Sequence, residues 1–239
     1  MKATQISEHI WSLRTWMIIP ITVWVVIEED GVTLVDTGMS MMAKGILKFI
    51  KRLNAGPLKQ IVLTHGHPDH VGALKSILNH DTVTVFAHSK EVPYLLGERS
   101  YREGKKPVAA LINGGVQAFA EDDGGEIHAI GSLKPYFTPG HSPGHVVFYH
   151  VKDRVMLAGD LFSSKNGKLR KPLFTPNMKE VLDSSLVVGK LLPKRMEVCH
   201  GHSVFNPADQ LSDYISEESK KHRTSVVSAG GSDKIQRRD

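Results

Sequence analysis

The sequence predicts an α/β fold in which two β-sheets pack face to face and helices cover the outside. Short apolar strands with intervening helices occur in two runs, over 4–87 and 126–199. A sheet must bury its apolar face against another layer, so two strand-rich halves favour a sandwich of two sheets. Hydrophobic content of 41% and charged content of 23% are ordinary for a soluble globular protein, so neither a fibrous nor a disordered class is indicated.

In the first run, segments rich in Ile, Val and Trp alternate with segments of helical spacing. The predicted strands are 4–13, 17–28, 32–35, 61–63 and 82–87, and the predicted helices are 40–53 and 70–79. The first three strands are separated by short turns, so they predict an antiparallel start to the sheet. Residues 89–125 mix aromatic side chains with many glycines, which leaves two interpretations open: a helical insertion over the mouth of a site, or a loosely packed connector.

The second run has the same character. The predicted strands are 126–130, 134–138, 145–151, 154–158 and 196–199, and the predicted helices are 178–191 and 206–219. We therefore predict a single domain over 1–219. Residues 220–239 are rich in Ser and Gly and lack apolar periodicity, so they predict a disordered tail.

The net charge of +5 argues against nucleic acid as a partner because of where it lies. Residues 220–239 hold six basic and two acidic residues, which leaves 24 basic against 23 acidic in 1–219. A groove that binds phosphates would carry its positive charge on the folded body. We therefore expect a small-molecule substrate.

Cysteine use and hydropathy predict a cytoplasmic protein with no membrane partner. Cys199 is the single cysteine, so no internal disulfide can form, which is typical of a reducing compartment. We interpret Cys199 as a core residue. No apolar signal segment follows Met1, and the most apolar stretch, 16–27, is too short for a membrane helix and contains Pro20. The oligomeric state cannot be read from the sequence.

The strongest functional signal is the stretch Thr64-His65-Gly66-His67-Pro68-Asp69-His70, directly after a buried strand. His65 and His67 are two apart, so an extended backbone points both to one side. Asp69 and His70 follow the bend and can reach a second point nearby. Crowded imidazole and carboxylate groups are costly to bury unpaired, so the cluster predicts a site for two adjacent metal ions.

This stretch resembles the HxHxDH signature of the metallo-β-lactamase superfamily, and the later motifs of that family follow in order. They are Thr138-Pro139-Gly140-His141, Ala158-Gly159-Asp160 and Gly201-His202, with Val35-Asp36-Thr37-Gly38 upstream. The resemblance implies a four-layer αββα sandwich of two mixed β-sheets with helices on both outer faces. It also implies an aspartate-bridged dinuclear hydrolase related to glyoxalase II and the lactonases.

The resemblance further implies the metal ligands. His65, His67 and His141 would hold one ion; Asp69, His70 and His202 would hold the other; Asp160 would bridge them. Asp69 and Asp160 would be the catalytic carboxylates, and substrate-binding residues are unknown. Imidazole and carboxylate ligands suit zinc, with iron or manganese as alternatives. Asp36 has two interpretations: it orients a ligand histidine, or it caps a helix.

The implied activity is hydrolysis of an ester, thioester or lactone by a hydroxide shared between two divalent metal ions. Ser163 stands where the lactonases have a tyrosine, so the substrate stays open. The alternatives within the superfamily are a phosphodiesterase or ribonuclease and a mononuclear-iron sulfur dioxygenase. A non-catalytic metal sensor is a further class, which the full ligand set disfavours.

Overall fold

The computed structural model describes residues 1–110 and 115–229. A seven-stranded sheet contains β1 (Lys2–Gln5), β2 (Ile10–Trp16), β3 (Pro20–Glu28), β4 (Gly31–Val35), β5 (Leu58–Val62), β6 (Thr84–Ala87) and β7 (Val116–Ala118). Its order follows the chain from β1 to β7. Strands β1 to β4 pair antiparallel and β4 to β7 pair parallel, so the sheet is mixed.

A five-stranded sheet has the order β14-β13-β10-β9-β8. Its strands are β8 (Leu133–Phe137), β9 (Val146–His150), β10 (Val155–Leu157), β13 (Arg195–Glu197) and β14 (Val204–Phe205). The pair β10–β13 is parallel and the other pairs are antiparallel. Between β10 and β13 the chain forms a small hairpin of β11 (Ser163–Lys165) and β12 (Lys168–Arg170), which the sequence did not predict.

The helices form the outer layers. They are α1 (Ala43–Leu53), α2 (Pro68–Val71), α3 (Leu74–Leu78), α4 (Val92–Leu95), α5 (Met178–Ser185), α6 (Val187–Leu191) and α7 (Leu211–Ala229). Short 3₁₀ turns at 40–42 and 207–210 lead into α1 and α7. In the described part of the chain, no helix is both long and apolar enough to cross a membrane.

Strand β9 shows how the layers stack, because its side chains alternate between two cores. Val146 and Phe148 belong to the core that includes the seven-stranded sheet, whereas Val147 and Tyr149 belong to the core beneath α5 to α7. Successive side chains of a strand point to opposite faces, so β9 is covered on both sides. The predicted αββα sandwich of two mixed sheets is confirmed.

Three local predictions differ from the structure. Predicted strand 4–13 is the hairpin β1–β2, because a turn at 6–9 returns the chain so that Gln5 pairs with Trp11. Predicted strand 126–130 makes only isolated bridges. Residues 89–125, for which a helical insertion and a loosely packed connector both stayed open, contain one-turn helix α4 and strand β7, while 111–114 lie outside the described residues. Helix α7 continues to Ala229 through part of the predicted disordered tail, whose residues 230–239 also lie outside.

Candidate metal centre

The side chains of the site follow the ends of strands from both sheets. His65, Asp160 and His200 each lie three residues beyond the last residue of β5, β10 and β13. Gly159, just before Asp160, has φ +50°, and a Cβ there would come within 2.9 Å of Thr64. Glycine is the residue that tolerates this conformation and this close approach, so the two strand ends can meet.

The first ligand group consists of His65, His67 and His141. Nδ1 of His67 lies 3.0 Å from Nε2 of His65 and 3.0 Å from Nε2 of His141. Burial lowers the pKa of all three imidazoles, to about 3 for His67, so the rings are neutral near pH 7. Ligands held about 2.0 Å from a tetrahedral zinc ion lie about 3.3 Å apart, so this spacing suits one ion.

The neighbours of His65 and His141 fix the tautomers of these rings. Nδ1 of His65 is 3.0 Å from Oγ1 of Thr64, whose hydroxyl donates to Asp36 Oδ2 at 2.8 Å. Nδ1 of His141 is 3.3 Å from Oγ1 of Thr175, whose hydroxyl donates to a backbone carbonyl. In each pair the ring N–H is therefore the donor, so Nε2 of both His65 and His141 presents a lone pair to His67.

The second ligand group consists of Asp69, His70 and His200. Nε2 of His200 lies 3.0 Å from Oδ2 of Asp69, and Nε2 of His70 lies 3.9 Å from the same oxygen. Nδ1–H of His200 donates to the Pro20 carbonyl at 2.9 Å, so Nε2 is the ring nitrogen that faces Asp69 and Asp160. Burial would lower the pKa of His200, but hydrogen bonds with Asp160 and Asp69 raise it well above its ordinary value.

Asp160 lies between the two groups. Its Oδ2 is 3.4 Å from Nε2 of His141 and 3.2 Å from Nε2 of His200, while its Oδ1 is 3.5 Å from Nε2 of His70. Burial would raise the pKa of Asp160, but His70 and His200 hold it well below its ordinary range. The carboxylate is therefore ionised and reaches nitrogens of both groups.

The structure places His200, not the predicted His202, at this centre. The His202 ring is exposed. The backbone of His202 is held in place, because its N–H donates to Ser164 Oγ at 2.7 Å. Ser164 lies in β11, and a Cβ on Gly201 would collide with it. The segment 200–202 is thus held against β11 with the His202 ring outside.

Asp36 orients two residues of the histidine loop. Its Oδ2 accepts the Nδ1–H of His70 at 2.7 Å, and its Oδ1 accepts the backbone N–H of Thr64 at 2.8 Å. Asp36 itself is fully buried, and the turn after it has no side-chain cap. The orienting interpretation of Asp36 is confirmed, and Nε2 of His70 is left to face Asp160.

His145 holds the backbone beside Asp160. Its Nε2 accepts the backbone N–H of Asp160 at 3.1 Å, so Nδ1 carries the proton and donates to Thr138 Oγ1 at 2.9 Å. Because both ring nitrogens are hydrogen-bonded and burial keeps the pKa of His145 well below its ordinary value, the ring positions Asp160 and is not a ligand.

The donor set fits divalent metal ions. Nε2 of His70 and Oδ1 of Asp160 are buried without a hydrogen-bond partner in the described parts of the chain. Nε2 of His141, whose Nδ1 carries the proton, directs its lone pair at the ionised Asp160 Oδ2 at 3.4 Å, which is unfavourable unless a cation lies between them. The ligand atoms of His65, His67 and His141 lie within 4.8 Å of one another, as do those of Asp69, His70, Cys199 and His200.

Cys199 is both a core residue and a neighbour of the second ligand group. It is fully buried in the core between the sheets, as predicted, and its sulfur also lies beside the second ligand group. The sequence did not single out His200, because the predicted strand 196–199 runs directly up to it; in the structure β13 ends at Glu197, so His200 lies three residues beyond its strand, as His65 does beyond β5.

Three comparisons with known proteins agree with this geometry. A family model described as the metallo-beta-lactamase superfamily matches residues 18–202. The chain is 34% identical over 221 residues to the probable metallo-hydrolase YybB of Bacillus subtilis, covering 90% of this chain and 98% of that protein. It is 27% identical over 189 residues to the hydroxyacylglutathione hydrolase GloC of Haemophilus influenzae, covering 77% and 85% respectively.

A solved metallo-β-lactamase of Erythrobacter litoralis, which holds β-mercaptoethanol in its active site, aligns with a TM-score of 0.71. The sequence identity is 18%, and the alignment covers 90% of this chain and 96% of that chain. At this identity the similarity shows the fold alone.

Proposed function

Because the chain is a metallo-hydrolase of the metallo-β-lactamase superfamily, we propose that it uses two divalent metal ions to cleave a small-molecule ester, thioester or lactone. The observation that carries the proposal is the position of Asp160. Its carboxylate lies within 3.5 Å of nitrogens from both ligand groups, as a bridging ligand requires. Zinc is the proposed metal, since imidazole and carboxylate ligands suit it.

In the proposed site, His65, His67 and His141 would hold one ion, and Asp69, His70 and His200 the other, with Asp160 shared. Bound divalent ions lower the pKa of water and polarise a carbonyl oxygen, which are the two requirements of ester or thioester hydrolysis.

The protein's own groups prepare the site for that chemistry. Asp36, His145 and Thr175 each fix a ligand from behind, so little reorganisation is needed when substrate binds. Asp69 is the more exposed of the two site carboxylates; burial would raise its pKa, but the hydrogen bond with His200 lowers it to about 2. An ionised, solvent-reachable carboxylate beside the reacting atoms can accept a hydrogen bond from water and orient it.

The test is hydrolysis by the purified, zinc-loaded protein of a panel of thioesters, lactones, simple esters and phosphodiesters. The similarity to a hydroxyacylglutathione hydrolase places thioesters first. We expect turnover of at least one carbonyl substrate that a chelator abolishes and zinc restores. Cleavage of phosphodiesters alone, or one iron per chain with sulfur-oxygenating activity, would contradict the proposal.

A further inference from the structure

A buried carboxylate outside the ligand set joins the two loops that carry the first ligand group. Glu91 is 0% exposed, and it lies immediately before α4. Its Oε1 accepts the backbone N–H of Gly66 at 2.9 Å and the hydroxyl of Tyr101. Its Oε2 accepts the backbone N–H of Gly144 at 2.7 Å and the hydroxyl of Ser142 at 3.0 Å. All of its acceptor capacity is directed at these four donors.

Three of the four donors come from the two ligand loops. Gly66 lies between His65 and His67, and Ser142 directly follows His141. One oxygen of Glu91 therefore holds the first loop and the other oxygen holds the second. We propose that Glu91 is a positioning residue that sets the distance between the His65–His67 loop and the His141 loop, and so the affinity of the first metal position.

Tyr101 extends this contact to a ligand ring. Its hydroxyl donates to Glu91, and its ring packs edge-on against His67 with centroids 4.6 Å apart. Tyr94 stacks on the other side of Tyr101 at 4.5 Å. A Cβ on Gly66 would overlap the Tyr101 hydroxyl, so the loop has to approach this closely without a side chain. Glu91 and Tyr101 together fix the backbone before His67 and the face of its ring.

The loops are also joined behind the site, where Val146 N–H donates to Thr64 O at 3.0 Å. That bond does not involve the carboxylate, so it remains available to hold the two loops together when Glu91 is substituted. In Glu91→Gln the shape is kept, but one acceptor oxygen is replaced by an amide that donates. Either the Gly66 side or the Gly144 side then faces a donor with a donor.

The experiment measures zinc affinity by competition with a chromogenic chelator, and records the visible spectrum of the cobalt-substituted full-length protein. For Glu91→Gln we expect about 10- to 100-fold weaker binding of the first ion, the usual effect of removing a group that orients a ligand. The cobalt spectrum should change as well. The matched control is Asp153→Asn, a carboxylate with 5% side-chain exposure whose hydrogen bonds and ion pairs go to His9 and His150, neither of which is a proposed ligand. It should lower thermal stability but leave affinity and spectrum unchanged.

Two milder variants keep the test decisive if Glu91→Gln does not fold. Tyr101→Phe and Ser142→Ala each remove one donor to Glu91 and should weaken zinc binding in the same direction by a smaller factor. The inference rests on the proposed function, but the readout needs no substrate. Unchanged zinc affinity and an unchanged cobalt spectrum in all three variants would overturn the role of Glu91 and leave the proposed function standing. A wild-type chain that binds no zinc would overturn both.

Discussion

In the described part of the chain, ligand-type side chains gather within 4.8 Å of one another at two places, the metal centre and a second cluster, and the second is not built like a metal site. The second cluster consists of His9, His150 and Asp153. Nδ1–H of His9 donates to Asp153 Oδ1 at 2.8 Å, and its Nε2 accepts from Lys152 at 3.2 Å. Nδ1 of His150 accepts the backbone N–H of Asp153 at 3.2 Å. Both ring nitrogens of His9 and Nδ1 of His150 are thus already hydrogen-bonded within the protein.

The metal centre differs in what its ring nitrogens face. There the outer nitrogens are paired with Asp36, Thr64, Thr175 or the Pro20 carbonyl, and the inner ones face acceptors or nothing. Residue types and proximity are the same in both clusters. The difference teaches that a metal site is identified by lone pairs which the protein leaves unsatisfied, and a lysine beside His9 makes a cation there still less favourable.

The largest expected contrast is between the central carboxylates of the two clusters. Asp160→Ala should lower kcat/KM on the substrate found in the panel by about 10³ or more, since metal-assisted hydrolysis depends on several kcal/mol of charge stabilisation. Asp153→Ala should leave kcat/KM within about threefold, because Asp153 bonds His9 and His150 and its loss should act on stability alone. Comparable losses in both variants, with both folded by circular dichroism, would remove the distinction.

The next contrast separates the two histidines that flank Gly201. His200→Ala removes a nitrogen that lies 3.0 Å from Asp69 and should release one of the two proposed zinc ions per chain, counted by elemental analysis after dialysis. His202→Ala removes an exposed ring and should retain both ions. Loss of zinc in the His202 variant, with retention in the His200 variant, would restore the ligand predicted from the sequence.

The comparison of His200 with His202 also shows how much of the site could be predicted from the sequence. The motif residues His65, His67, Asp69, His70, His141 and Asp160 converge as predicted, because each follows a strand end whose apolar pattern is legible. The choice between His200 and His202 depends on Ser164, which holds the intervening backbone from β11. A three-residue strand has no pattern to recognise, so this contact could not be predicted.

In the fold, too, features with a strong local pattern were predicted and features that depend on distant contacts were not. Helix α1 and strand β4 were predicted because long amphipathic spacing and continuous apolar runs are strong local signals. Strand 126–130 was wrong because its apolar alternation is unsupported by partners: Ile130 instead forms a tight turn with Leu133. Glu91 was missed for a related reason, since nothing local distinguishes it and its four donors come from three separate parts of the chain.

A smaller effect is expected for Asp36, which orients the ring of His70 and is not itself a ligand. Asp36→Asn keeps the size of the side chain and suits the φ of +58° at this position, because asparagine tolerates the left-handed region. It removes the charged acceptor of the His70 N–H, so the second zinc ion should bind about 10- to 100-fold more weakly. The control is Asp30→Asn, an exposed carboxylate paired with Lys59, which should bind both ions normally. Equal affinities in the two variants would contradict an orienting role.

The smallest effect concerns acid stability of the second cluster. Burial would raise the pKa of Asp153, but the nearby Ser7 hydroxyl and the hydrogen bonds from His9 lower it below its ordinary value. A carboxyl whose pKa is lower in the folded state stabilises fully above the unfolded pKa, and that contribution is lost as pH falls through the folded pKa. In chelator-treated protein, the urea midpoint of the wild type should therefore fall more steeply than that of Asp153→Asn between about pH 5 and about pH 3. Other carboxylates titrate in both proteins and cancel in the difference. Parallel curves would mean that Asp153 holds His9 no more tightly as an anion than as a neutral group, and the cluster would then lose the pairing that distinguishes it from the metal centre.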